Sequence, residues 1–200
     1  MSKIKICGIF REIDIACLNT ALPDYAGFIF ANSKRQVDPE LANLMRQALH
    51  PDVKTVGVFV NSDIKEILKI VNEGTINLIQ LHGNEDENYI KELKTKTDLP
   101  IIKAFYPNDI DEINTCADYI LLDNKNEKGF GGLGEAFNWQ KIPKMNKPFF
   151  LAGGIDINNV DEALKLNSHC IDVSSGVETN NKKDFHKIME MVKKVKNGEN

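Results

Sequence analysis

Residues 149–176 read FFLAGGIDINNVDEALKLNSHCIDVSSG. Phe149–Ala152 is a short apolar run that stops at Gly153-Gly154. Val160, Ala163 and Leu164 then recur at helical spacing. Cys170–Ser174 is a second apolar run, and Ser175-Gly176 follow it. A strand, an amphipathic helix and a second strand form one βαβ unit. Phe149–Ala152 is continuously apolar, as expected of a strand covered on both faces, while Asp172 interrupts the second run.

The same alternation extends back to the start of the chain. Further strands are read at Ile4–Gly8, Ala26–Phe30, Thr55–Val60, Leu78–His82, Ile101–Phe105 and Tyr119–Asp123. Asp38-Pro39 supplies an N-cap and a first-turn proline, followed by Leu41, Leu44, Met45 and Ala48 on one predicted face. Ser62 is expected to cap a helix carrying Ile64, Ile67, Leu68 and Val71. The last helix carries Phe185, Ile188, Met189, Val192 and Val195, and the connection Tyr106–Thr115 is weakly patterned. Eight strands alternating with helices predict an α/β fold with a parallel sheet. Eight units let that sheet close into a (βα)₈ TIM barrel, read as one domain over residues 1–200. The competing open, doubly wound sheet usually begins with a glycine-rich nucleotide turn. Ile6-Cys7-Gly8-Ile9 contains no such motif.

Composition narrows the function. The chain has 200 residues, 42% hydrophobic and 27% charged, with a net charge of −4. That balance disfavours nucleic acid as a partner; Lys193, Lys194 and Lys196 read as a solvated helix end. No apolar run reaches the roughly 20 residues of a membrane span, and Met1–Phe10 lacks the apolar core of a signal peptide. Cys7, Cys17, Cys116 and Cys170 are scattered, without a Cys-x-x-Cys pair. Zinc and a disulfide framework are disfavoured, and a reduced, cytoplasmic protein is expected.

Such barrels place their active sites at the C-terminal strand ends. Those ends carry Cys7, Ser33-Lys34-Arg35, Asn61, His82, Asp123, Gly153-Gly154 and Ser174-Ser175-Gly176. Glycines and small residues after strands seven and eight match the recurrent phosphate site of this architecture. Cys7 and Asp123 stand apart around the mouth, as an acid and a base for proton transfer would. Read as structure alone, Cys7 is a small buried hydrophobe and Asp123 a strand-end turn residue. The glycine-rich loop Asn124–Ala136 is long enough to serve as a lid, and Trp139 reads as packing.

These residues carry a resemblance. Lys5-Ile6-Cys7-Gly8-Ile9, Gly27–Phe30 with Ser33-Lys34-Arg35, Val56–Asn61, Gln80–Gly83, Leu121-Leu122-Asp123, Gly131–Gly134 with Phe137-Asn138-Trp139, Leu151–Gly154 and Asp172–Glu178 with Lys183-Asp184 together resemble the phosphoribosylanthranilate isomerase family, in motif order and over nearly the whole chain. The resemblance implies an Amadori rearrangement of N-(5′-phosphoribosyl)anthranilate in tryptophan biosynthesis. It makes Asp123 the general acid at the ribose ring oxygen and Cys7 the general base at C2′. It makes Arg35 a contact for the anthranilate carboxylate, whose planar fork suits that partner. Gly154, Ser175 and Gly176 match the family's phosphate loops; from their own place near the mouth, His82, as a hydrogen-bonded pocket wall, and Asp172 are also read as substrate-binding. The protonated imine is its own electron sink, so no metal or coenzyme is required. The implied partner is a small phosphosugar, and the implied assembly a monomer or homodimer. The chain departs from the family pattern at Lys34, Phe10, Leu133 and Asn138. Asp123 is expected to have a raised pKa when substrate is bound, and Cys7 to be deprotonated with help from a nearby positive charge.

Strand alternation adds an expectation of its own. If Cys7 points inward, so does Lys5, and Asp172 on the neighbouring last strand is its partner in a buried polar network. Gln80 and His82 share one face, and Lys103 is expected to point inward as well. Two other functions compete. A different phosphosugar barrel enzyme would place lysine and glutamate, or paired aspartates, at the strand ends. A non-catalytic phosphate binder would not need both Cys7 and Asp123.

Overall fold

The computed structural model describes residues 2–106, 113–124, 139, 142 and 146–197. Eight parallel strands close into a barrel. They are β1 (Lys3–Cys7), β2 (Tyr25–Ile29), β3 (Lys54–Phe59), β4 (Leu78–Leu81), β5 (Ile101–Phe105), β6 (Tyr119–Leu122), β7 (Phe149–Leu151) and β8 (Cys170–Val173). β1 pairs with β2 on one side and β8 on the other, which completes the ring. The helices described are α1 (Glu12–Ala21), α2 (Pro39–Ala48), α3 (Ile64–Asn72), α4 (Glu87–Lys94), α5 (Val160–Leu164) and α6 (Phe185–Asn197). A short antiparallel pair, β9 (Glu178–Thr179) and β10 (Lys182–Lys183), lies between β8 and α6. Most of the Tyr106–Thr115 connection and of the Asn124–Ala136 loop, with Leu133 and Asn138, lies outside the described residues.

The starts of α2 and α3 have local causes. Asp38 caps α2 by accepting from the Leu41 N–H at 2.8 Å, with Pro39 in the first turn. α3 is capped by Asp63, which accepts from the Lys65 N–H, and not by Ser62 as the sequence suggested. A carboxylate is the stronger acceptor for these orphan donors and also complements the helix dipole. Two apolar faces differ from their expected stripes: Leu44 is 60% exposed on α2, and Phe185 is 39% exposed on α6. Met45 and Met191 carry the packing on those helices.

The core has two layers. Ile4, Ile6, Phe28, Leu122, Ile171 and Val173 pack outward against the helices, with Trp139 among their neighbours. Tyr25, Val56, Leu78, Ile102, Leu121 and Phe150 fill the barrel interior. The apolar plug leaves the C-terminal strand ends as the open mouth. No described helix is long and apolar enough to cross a membrane.

Candidate active site

Side-chain alternation determines what reaches the interior. On β1 Ile4 and Ile6 face the helices, so Lys5 and Cys7 face inward. Gly27 lies beside Cys7 in the β1–β2 register. A Cβ on Gly27 would lie 2.8 Å from Cys7 Sγ and 3.2 Å from Lys5 Cε, so the missing side chain makes room for both. On β8 Asp172 lies in register with Lys5. Lys5 Nζ donates to Asp172 Oδ2 at 2.7 Å and to Gln80 Oε1 at 2.9 Å. The expected polar network is therefore present beneath the mouth.

Lys103 does not join it. Ile102 and Ala104 take the interior positions of β5, and Lys103 stands in register with Leu81, which packs against the helices. The expectation of an inward Lys103 fails because the alternation of β5 is set one residue away. Its Nζ donates instead to the Gly83 carbonyl at 2.6 Å and to Glu85 at 2.8 Å. Glu85 also accepts from the backbone N–H of Asn61 and Gly83. This buried cluster fastens the loop that begins at His82.

A cavity of about 790 Å³ opens at the mouth, and Cys7 and Asp123 both line it. Arg35, His82 and Asp172 line it too, as do Gly154 and Ser175. Gly176 does not. A Cβ there would lie 2.0 Å from the Ile155 carbonyl oxygen, so glycine lets the loop after β8 close onto the loop after β7. Gly153 and Gly154 adopt φ of +84° and +67°, the left-handed region that favours glycine. Their N–H groups find no acceptor among the described residues. Ser175 and Gly176 begin a short 3₁₀ turn, Ser175–Val177, and the first N–H groups of such a turn have no partner inside it. Gly153, Gly154 and Ser175, from the loops after β7 and β8, thus line the cavity together.

The acid candidate is held by the backbone on one oxygen and approaches His82 with the other. Asp123 Oδ1 accepts from the Asn124 N–H at 2.7 Å, and Oδ2 lies 3.2 Å from His82 Nε2. Asp172 Oδ1 is buried and has no hydrogen-bond partner among the described residues. Burial pushes the Asp172 carboxyl up, and Lys5 pulls it back down. Burial also pushes the Cys7 thiol up, against the opposing pull of Lys5 and, more weakly, Lys183. The positive neighbours expected for Cys7 are present, but burial outweighs them in the free protein. Burial alone would lower Lys5, yet Asp172 and Cys7 hold it above its ordinary value.

Arg35 departs from its simplest reading. Its Nε and Nη2 each donate at 2.7 Å to the two oxygens of Glu178. The bidentate partner of the fork is therefore internal, and a bound carboxylate would meet the remaining guanidinium N–H groups. Lys183 Nζ donates to the same Glu178 at 2.7 Å and to the Ser174 carbonyl at 3.0 Å. Glu178 and Lys183 were visible only as parts of a motif. No spacing rule pairs Arg35 with a carboxylate so far along the chain.

Comparison with known proteins gives the family. Residues 4–194 match the family model described as N-(5′phosphoribosyl)anthranilate (PRA) isomerase. An N-(5′-phosphoribosyl)anthranilate isomerase of Endomicrobium trichonymphae is 47% identical over 195 residues, covering 96% of this chain and 98% of the relative. One from Thermoanaerobacter sp. (strain X514) is 39% identical, covering 98% of each. The crystal structure of phosphoribosyl anthranilate isomerase from Thermus thermophilus superposes with a TM-score of 0.84 at 30% identity, over 98% of each chain. A further solved isomerase, in complex with reduced 1-(o-carboxyphenylamino)-1-deoxyribulose 5-phosphate, superposes at 0.78 with 29% identity, over 98% of this chain and 100% of that one. With its closed barrel and the cavity at its mouth, the chain belongs to the N-(5′-phosphoribosyl)anthranilate isomerase family.

Proposed function

We propose that Asp123 is the general acid and Cys7 the general base of the aldose–ketose isomerisation that defines this family. The substrate is N-(5′-phosphoribosyl)anthranilate. Its phosphate lies against the N–H groups of Gly153, Gly154 and Ser175, and its carboxylate approaches Arg35. Asp123 protonates the ribose ring oxygen, the C1′–O bond breaks, and a protonated Schiff base forms. Cys7 removes the C2′ proton, and the C–H electrons flow into the iminium to give an enolamine. Proton return at C1′ and loss of the enol proton give 1-(2-carboxyphenylamino)-1-deoxyribulose 5-phosphate. Asp172 Oδ1 accepts a sugar hydroxyl.

The observation that carries this reading is one cavity lined by both Cys7 and Asp123 and also by Gly153, Gly154 and Ser175 of the last two loops. The raised thiol fits the order of steps. Cys7 is poor as a base until ring opening puts a cation in the cavity, and that cation then favours the thiolate. The four thiols are free, in keeping with a cytoplasmic enzyme. A monomer or homodimer is the expected assembly; one solved structure is of generated monomers of the dimeric isomerase from Thermotoga maritima.

The test generates the labile substrate in situ and follows the loss of its anthranilate fluorescence. The wild type consumes it. Cys7→Ser and Asp123→Asn lose several orders of magnitude in kcat/KM while folding is retained, in line with the roughly 10²–10⁴ that each proton transfer contributes. Near-normal turnover in either variant would remove that residue from the mechanism.

A further inference from the structure

Four side chains run in file from the buried Lys5 to Gln80, His82 and Asp123, which line the cavity. Lys5 Nζ lies 2.9 Å from Gln80 Oε1, Gln80 Nε2 lies 2.8 Å from His82 Nδ1, and His82 Nε2 lies 3.2 Å from Asp123 Oδ2. Lys5 and Gln80 are almost completely buried, at 0% and 1% exposure. The direction of both hydrogen bonds in this file follows from one fact: a lysine ammonium has donors and no acceptor. Gln80 must therefore turn its carbonyl toward Lys5, which leaves its NH₂ facing His82. An amide NH₂ only donates, so His82 Nδ1 must be the bare, accepting nitrogen. The ring proton then sits on Nε2, the nitrogen that lies 3.2 Å from Asp123 Oδ2.

We infer that Gln80 is a positioning residue that holds His82 as its Nε2–H tautomer, so that Asp123 always meets a donor and never a lone pair. The consequence for catalysis rests on the reading of Asp123 as the acid. An ordinary imidazole is a stronger base than an ordinary carboxylate. A bare Nε2 beside Asp123 would take the proton that the ring oxygen needs. With Nε2 protonated and Nδ1 occupied by the Gln80 amide, His82 has no open site for it. His82 orients the carboxyl group and stays out of the proton transfer.

Histidine labelled with ¹⁵N tests this, because the two ring nitrogens have distinct shifts in each tautomer. His82 is identified among the four histidines as the signal missing from His82→Asn. The wild type is expected to show a bare Nδ1 and a protonated Nε2. Gln80→Met keeps the bulk and removes both polar atoms; a mixture of tautomers and a kcat reduced about 10- to 100-fold with little change in KM are expected, part of what a positioned acid contributes. Gln80→Glu keeps the Lys5 contact but turns an oxygen toward Nδ1, and it is expected to move the proton to that nitrogen. A wild-type His82 protonated at Nδ1 alone overturns the inference, whether or not the variants fold. So does a Gln80→Met enzyme whose tautomer, or whose kcat, is unchanged. If Asp123→Asn were to remain active, the acid role would fail while the tautomer result stood, so the two failures are separable.

Discussion

Lys5 and Asp172 meet at 2.7 Å across the seam where the first strand closes on the last. The ammonium is fully buried and also donates to Gln80 on β4, so one cation ties three strands together. Its stabilising value depends on both partners being present, because a buried charge left without its counter-charge keeps its desolvation cost. Asp172→Asn is expected to lower the unfolding free energy in urea by about 3–5 kcal/mol, and pairing it with Lys5→Met to recover much of that loss. Equal stability of Asp172→Asn and wild type would show that the pair does not hold the seam.

Glu178 holds the proposed carboxylate contact Arg35 and the buried Lys183 in one cluster. Burial would raise its pKa, but hydrogen bonds from Arg35 and the charge of Lys183 bring it from the ordinary 4.5 down to about 2. A carboxylate held lower in the folded state contributes stability that is complete above its unfolded pKa. That contribution drains away as pH falls from about 4.5 to about 2, and is of order 3 kcal/mol. Glu178→Gln is expected to flatten the stability curve across this window. It also frees the Arg35 fork, so KM should rise more than kcat falls. Stability curves that run parallel through the window would contradict the assignment.

The packing of Gly176 gives a prediction of a different kind. Its absent Cβ would meet backbone, the Ile155 carbonyl oxygen, and backbone cannot rotate out of the way. Gly176→Ala is expected to push the last two loops apart, to cost about 1–3 kcal/mol, and to raise the KM for the phosphorylated substrate. Gly74→Ala is the control. A Cβ there meets nothing within 4 Å, although φ is +72°, so it should cost about 1–2 kcal/mol of backbone strain and leave KM alone. Equal effects of the two substitutions on KM would mean that the Gly176 contact does not shape the anion site.

Much of this architecture is legible from residue patterns, because apolar runs of fixed period dictate strands and helices locally. All eight strands lie within a residue of their expected bounds. Alternation along adjacent strands was enough to foresee the Lys5–Asp172 pair. It misled at Lys103, where a polar residue in an apolar strand suggested the interior and only the register with Leu81 reveals the helix-facing side. The Asp63 cap, against an expected Ser62, shows that two adjacent capping residues leave the helix start undecided by one position. The Arg35–Glu178 pair was out of reach, because closure of the barrel brings those residues together and no local pattern encodes it. The direction of the Gln80–His82 hydrogen bond is likewise a product of three strands meeting around Lys5.

Whether Asp123 opens the ring and Cys7 takes the proton is read most directly from the primary deuterium isotope effect on kcat with substrate labelled at C2′. In Cys7→Ser, proton removal becomes the slow step, and a large effect is predicted. In Asp123→Asn, ring opening becomes the slow step, and an effect near unity is predicted. The opposite ranking, or equal effects in both variants, would contradict the division of labour between the two residues.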